Sequence, residues 1–273
     1  MMLDLTEPFR TIWKNRDAFV EVEALSGELF REVKSRRTFR FEINGCGFFL
    51  KHHLGVGWAE ILKNLLQFKR PILGAANEYH ALARLHELDI PTMTCCAFGE
   101  RGWNPAKRES FLITEELTDT VNLEDFTASW QNGSVDIPFK RMMIRKLAET
   151  SRKLHFNGIN HRDYYLCHFL LKQHPTPAPE NDPDFYLIDL HRAQIRTSVP
   201  YHYWVKDLAG LWFSAMDRQL TKRDLLRFIV QYEQKPLRWI LSERGKFYRD
   251  VDRTARKLYR KEFGKKSPSP ELF

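Results

Sequence analysis

The chain has 273 residues, of which 43% are hydrophobic and 13% aromatic. That is enough to build a substantial core and excludes a disordered chain. The formal charge of +8 favours an anionic partner, such as nucleotide, anionic glycan, nucleic acid or membrane headgroup, without choosing among them.

The start, Met1 to Pro8, has no basic stretch leading into an apolar run, so it does not read as a signal peptide. No apolar run approaches the roughly 20 residues that span a bilayer. The first third then reads as strands. Residues 30–33 and 38–43 alternate around a polar turn, Lys34-Ser35-Arg36-Arg37, and Asn44-Gly45 signals a hairpin into a third strand at 47–51. Trp58, Ile61, Leu62, Leu65 and Leu66 recur at helical spacing over 57–68, and Pro71 ends that helix. A second helix is expected over 75–88, then strands at 92–98 and 111–114. The cysteines, Cys46, Cys95, Cys96 and Cys167, form no C-x-x-C pair, which fits reduced thiols in a cytoplasm.

Beyond Leu117 the pattern turns helical. A long amphipathic helix is predicted over 137–156, with Pro138 near its start and Gly158 past its end. Two short apolar strands follow at 169–171 and 185–188, joined by a Pro-rich polar loop over 173–183. From Trp204 onward the chain reads as basic helices, with a frayed tail at 265–270. The expected class is α+β in two lobes, an antiparallel-sheet lobe at 1–117 and a mainly helical lobe at 118–273.

The segment His161-Arg162-Asp163-Tyr164-Tyr165-Leu166-Cys167-His168 leaves a long helix and enters a short strand, and Leu187-Ile188-Asp189-Leu190-His191 places an Asp at the end of another. Together they resemble the catalytic loop and metal-binding Asp of protein-kinase-like enzymes. The resemblance extends to the order of the parts. Lys51 closes the third strand, where that fold grips nucleotide phosphates, and Glu78 lies on a following helix as its partner, with Glu60 as a competitor. Glu115-Glu116-Leu117 stands at the hinge position and makes Glu116 a nucleotide-side candidate. Asp207, expected to begin a later helix, matches the Asp that braces the catalytic loop; a helix cap is its bland alternative.

Longer strings narrow the resemblance. Asn160-His161-Arg162-Asp163, Cys167-His168-Phe169-Leu170-Leu171 and Ile188-Asp189-Leu190-His191-Arg192-Ala193-Gln194 are similar to the lipopolysaccharide core heptose(I) kinases. So are Glu7-Pro8-Phe9, Lys63-Asn64-Leu65-Leu66 and Pro71-Ile72-Leu73-Gly74-Ala75. The resemblance implies phosphorylation of the first inner-core heptose from ATP at the cytoplasmic face of the inner membrane, and association with acyl carrier protein, an acidic partner. It implies Asp163 as catalytic base, with His161, Arg162 and His168 around it, and Asp189 as the oxygen ligand of Mg²⁺. A kinase of the same fold acting on protein tyrosine or a small-molecule hydroxyl is the alternative. A nucleic-acid-binding module is disfavoured, because no recognition motif is present.

Two departures stand out. No G-x-G-x-x-G joins the first two strands, so Arg36 and Arg37 are candidate phosphate-covering groups, against the alternative of a solvated basic turn. His168 stands where kinases carry a metal-binding Asn, yet Mg²⁺ prefers oxygen. His191 is open between scaffold and function. The helix near Trp58, with Lys63, Lys69 and Arg70, suits a membrane-facing or acceptor-facing surface. The basic tail, Arg253, Arg256, Lys257, Arg260 and Lys261, reads as a solvated face or as attraction to anionic lipid.

Overall fold

A computed structural model describes residues 1–33, 36–66, 71–132, 135–173 and 185–271. They form two compact units. The first comprises Met1–His86, Thr92–Thr118 and Asp189–Arg192; the second comprises Glu87–Pro91, Asp119–Ile188 and Ala193–Phe273.

The first unit runs β1 Met2–Leu5, α1 Phe9–Ile12, α2 Ala18–Ala24, β2 Glu28–Val33, β3 Arg36–Ile43, β4 Cys46–His53, α3 Gly57–Leu66, α4 Ala76–Glu87, β5 Cys95–Arg101 and β6 Glu109–Glu115. Its strands make one six-stranded sheet in the order β1-β5-β6-β4-β3-β2, with every neighbouring pair antiparallel. The three-strand meander read from alternation is present. Its turn is set by Asn44 and Gly45 at φ 53° and 80°, left-handed values that these two residue types tolerate best. Phe39, Phe41, Phe48 and Leu50 alternate inward against Phe9, Trp13 and Phe19 from α1 and α2. Burying each such side chain contributes roughly 1.5–3 kcal/mol. Neither β1 nor the first two helices is legible in the sequence. All are too short to show a period, and β1 is an exposed edge strand.

The second unit contains β7 Thr120–Asn122, α5 Leu123–Phe126, α6 Ile137–Phe156, β8 Ile159–Asn160, β9 Phe169–Lys172, β10 Phe185–Leu187, β11 Gln194–Ile195, α7 Tyr201–Ala215, α8 Lys222–Glu233, α9 Leu237–Glu243 and α10 Gly245–Phe263. The helix expected over 137–156 has those bounds. Gly158 follows at φ 77°, and a Cβ there would sit 1.8 Å from the Arg196 carbonyl oxygen, so only glycine fits. Lys140 of α6 meets Asp224 of α8 at 2.9 Å with both side chains buried, a pair no pattern announces.

Several boundaries differ from expectation. Arg36 and Arg37 are not turn residues. They open β3, paired with Val33 and Glu32 on one side and with His53 and His52 on the other. Ladder hydrogen bonds hold them extended where composition suggested a turn; Lys34 and Ser35 lie outside the described residues. The strand expected from Thr92 begins at Cys95. The helix expected from Trp204 begins at Tyr201, so Asp207 lies inside α7 rather than capping it. The tail does not fray freely: Arg256 donates to the carbonyls of Ser269 and Pro270, and Ser269 Oγ donates to the carbonyl of Met216. The 173–183 loop, apart from Gln173, lies outside the described residues.

Candidate active site

In the first unit the chemistry gathers on the face of β4 opposite the core. Phe48 and Leu50 point inward, so Lys51 shares the other face with Phe49 and His53. The start of α4 is fixed by Ser110 Oγ, which accepts the backbone N–H of Ala75 at 2.9 Å. That places Glu78 in the first helical turn, 2% exposed. Lys51 Nζ donates to Glu78 Oε1 at 2.7 Å and to Oε2 at 3.0 Å. Glu60, the competing partner, instead meets Lys63 and Asn64 on exposed α3.

The first unit also contains Asp189, whose Oδ1 lies 3.8 Å from Lys51 Nζ. Asp189 has φ 61°, a left-handed conformation that costs a non-glycine residue energy and persists only where its surroundings enforce it. His191 helps enforce it. Its Nδ1 donates to Asp189 Oδ1 at 2.6 Å, and its own carbonyl accepts from Asn77 Nδ2 at 2.8 Å. Asn77 escaped the sequence reading; its position one residue before Glu78 was the only signal. Two residues beyond Lys51, the His53 imidazole is pushed down to about 3, first by burial and then by the charges of Arg36 and Lys51. Arg36 and Lys51 thus both bring positive charge to this face of β4, where it suits phosphate.

Glu116 lies at the end of the sheet, but its carboxylate is already bound. Arg40 Nε and Nη2 each donate to it at 2.7 Å, and the Glu116 N–H donates to the Gly47 carbonyl at 2.9 Å. A Cβ on Gly47 would come within 1.8 Å of Glu116 Oε2, so a larger residue there would displace the clamped carboxylate.

In the second unit, β8 delivers the chain to His161, Arg162 and Asp163. Asp207, fully buried, accepts the backbone N–H of His161 at 2.6 Å and of Arg162 at 2.8 Å. These charge-assisted bonds hold Arg162 at φ 75°, another left-handed non-glycine residue. Asp207 Oδ2 also lies 3.5 Å from His155 Nε2, whose Nδ1 contacts Tyr232 Oη at 2.8 Å. His161 Nε2 donates to the Ile188 carbonyl at 3.0 Å, and the Ile188 N–H donates to the His168 carbonyl at 3.0 Å. His168 Nδ1 donates to the backbone carbonyl of Asp163 at 2.6 Å, and its ring stacks on His161 with centroids 5.7 Å apart. A carbonyl only accepts, so Nδ1 carries the proton, and in the neutral ring Nε2 keeps a lone pair. Asp163 itself is partly exposed.

Among the described residues no three His, Cys, Asp or Glu side chains converge on one metal position. Mg²⁺ needs no such cage, since it binds through one or two carboxylates together with substrate phosphates and water. The Asp189 carboxylate beside Lys51 fits that requirement.

Residues 20–232 match the lipopolysaccharide kinase (Kdo/WaaP) family. The chain belongs to this family. It is 51% identical over 241 residues to the lipopolysaccharide core heptose(I) kinase WaaP of Escherichia coli K12, covering 88% of this chain and 91% of that one. It is 48% identical over 261 residues to the enzyme of the same name from Pseudomonas aeruginosa, covering 95% and 96%. A solved structure described as WaaP in complex with acyl carrier protein is similar at a TM-score of 0.83 and 42% identity, covering 95% of this chain and all of that one. This Kdo/WaaP-family chain is therefore a phosphotransferase with the two-lobed, α+β, protein-kinase-like fold expected from its motifs. No helix among its described residues is long and apolar enough to cross a membrane.

Proposed function

We propose that this kinase transfers the γ-phosphoryl group of ATP to a hydroxyl of the first inner-core heptose of lipopolysaccharide. The observation that carries the reading is the buried Glu78 carboxylate holding Lys51, with Asp189 3.8 Å from the same ammonium. Loose phosphoryl transfer asks a protein mainly to position groups and neutralise spreading charge. Lys51 grips the nucleotide phosphates, and Arg36 adds positive charge. Glu116, with its side chain committed to Arg40, contributes through its backbone. Arg37, paired with His52, alternates to the face of the sheet opposite Lys51, so the covering role falls to Arg36, which is paired with His53 on the Lys51 face. Asp189 is the residue that would hold Mg²⁺, and the ion would supply charge neutralisation at the phosphates. Residues 1–117 act as the nucleotide lobe and 118–273 as the acceptor lobe.

Asp163 accepts the proton of the attacking hydroxyl and orients that oxygen. The new O–P bond forms as the bond to the ADP oxygen breaks. His161, Arg162 and His168 position the loop, braced by Asp207. The test is transfer of ³²P from ATP to dephosphorylated lipopolysaccharide core, with and without Mg²⁺, against peptide and aminoglycoside-like acceptors. Labelling of tyrosine peptides or a small-molecule hydroxyl, and not of the core, overturns the heptose assignment in favour of the same chemistry on another acceptor.

Acyl carrier protein is the proposed protein partner, following the solved relative. A groove lined by Arg141, Arg145, Arg223 and Arg227, on α6 and α8, gives an acidic protein a complementary surface. Co-elution lost on Arg141→Glu plus Arg223→Glu supports it; unchanged co-elution opposes it. The enzyme works at the cytoplasmic face of the inner membrane, where its acceptor is displayed.

A further inference from the structure

An amphipathic helix normally turns its apolar stripe toward the core. In α3 the stripe faces water. Trp58, Leu62, Leu65 and Leu66 follow one another at helical spacing and are 54%, 54%, 54% and 82% exposed, while Ile61 alone anchors the helix inward. Leu54, just before the helix, is also exposed.

The loop joining β5 to β6 lies against the start of this helix. The Gly57 N–H donates to the Ala106 carbonyl at 2.9 Å. Gly55, at φ 94°, approaches the same segment so closely that a Cβ would meet Ala106 O at 2.7 Å and Lys107 Cα at 2.9 Å. The loop is a braced platform. Arg101 meets Glu109 at 2.7 Å and Arg108 meets Glu100 at 3.5 Å across its base, and Asn104 Oδ1 accepts the Ala106 N–H at 3.0 Å. Its tip presents Trp103, 91% exposed. Holding an indole in water on a fixed platform gains nothing for folding.

We propose that the α3 stripe and Trp103 together form a surface that inserts into the headgroup region of an anionic phospholipid bilayer. Tryptophan favours that boundary, where its ring is buried and its N–H stays wet. Charge agrees in sign: Lys63 and Lys107 are exposed at the patch, the one acid of α3, Glu60, is paired with Lys63 at 3.3 Å, and the acids Glu100 and Glu109 are neutralised by arginines; Lys69 and Arg70 lie outside the described residues. The choice of a bilayer over a protein or a second copy rests on the glycolipid acceptor proposed for the enzyme, which is itself embedded in one.

The experiment is flotation of the full chain with vesicles of phosphatidylethanolamine and phosphatidylglycerol, and separately of phosphatidylcholine alone. It needs neither ATP nor acceptor, so its failure is distinguishable from failure of the heptose assignment. Wild type should float with the anionic vesicles and shift its tryptophan emission to the blue. Trp58→Ser plus Trp103→Ser should lower partitioning roughly tenfold or more, and Leu62→Ser plus Leu65→Ser should do so independently. Lys63→Glu plus Lys107→Glu should weaken binding most at low salt. Leu241→Ser, an exposed apolar residue on α9, should change nothing. Absence of wild-type flotation, equal flotation of both patch variants, or a patch-dependent dimer without vesicle binding each overturns the proposal.

Discussion

Lys51 and Glu78 form a two-point contact, with the ammonium donating to both carboxylate oxygens at 2.7 and 3.0 Å. The two residues are separated by 27 positions, and the intervening α3 offers Glu60 as an alternative that the fold does not use. Removing either partner strands the other. Lys51→Met and Glu78→Gln should each cut phosphoryl transfer by roughly 10²-fold or more, while the double variant loses less than the sum. A double-mutant cycle measures this, and strict additivity would remove the pair from the mechanism. Glu60→Gln should be silent.

Asp163→Asn keeps the shape of the side chain and removes its basicity. Turnover should fall by roughly 10²–10⁴-fold, with nucleotide binding retained. Steady-state kinetics alongside nucleotide titration separates the two effects, and near-normal turnover would unseat Asp163.

Asp207 accepts two backbone N–H groups from the segment that carries Asp163. Asp207→Ala leaves both donors without this acceptor, at a cost of about 1–3 kcal/mol for the buried His161 N–H and less for the part-buried Arg162 N–H. A lowered Tm together with lost activity is expected. Asp207→Asn should recover part of both, since one oxygen remains; full activity in the alanine variant contradicts the brace.

His168 donates from Nδ1 to the Asp163 carbonyl, which makes it first a holder of backbone. His168→Asn should keep measurable activity, because Asn supplies both a donor and an oxygen, whereas His168→Ala should lose much more. Turnover of both in Mg²⁺ and in Mn²⁺ at saturating ATP decides the rest. A wild-type preference for Mn²⁺ that switches to Mg²⁺ in His168→Asn would show direct ligation through Nε2.

His53 has a folded-state pKa near 3, lowered by burial and by the positive charges of Arg36 and Lys51. The folded protein therefore resists protonation while the unfolded chain takes up a proton near 6.5. Stability is unaffected above that value and falls as pH drops toward 3, by at most about 1.4 kcal/mol per pH unit from this residue. Thermal unfolding of His53→Gln against wild type, between pH 7 and pH 4, should show a shallower acid slope in the variant.

Much of the catalytic segment was legible because its chemistry is local. His161-Arg162-Asp163 and Ile188-Asp189 are contiguous strings, and the helix at 137–156 announces itself by apolar period, Pro138 and Gly158. Other features depend on residues remote in sequence. Arg36 and Arg37 carry turn-like composition, yet pairing with β4 makes them strand, because ladder hydrogen bonds outweigh local preference. The Arg40–Glu116 clamp spans 76 positions and the Lys140–Asp224 pair is buried between two helices, so neither leaves a periodic trace.

The sequence by itself determined the order of the parts: a strand-rich first portion with Lys51, a helix with Glu78, then the loop of Asp163 and the strand-ending Asp189. It determined these because periodicity, turn chemistry and short motifs are properties of neighbouring residues. Only the tertiary structure decided which carboxylate holds Lys51, that Asp207 works from inside a helix, and that Asp189 and Arg162 stand in left-handed backbone. Those outcomes depend on burial. A carboxylate withdrawn from water must find donors. Which donors come within reach is set by the packing of segments far apart in the chain.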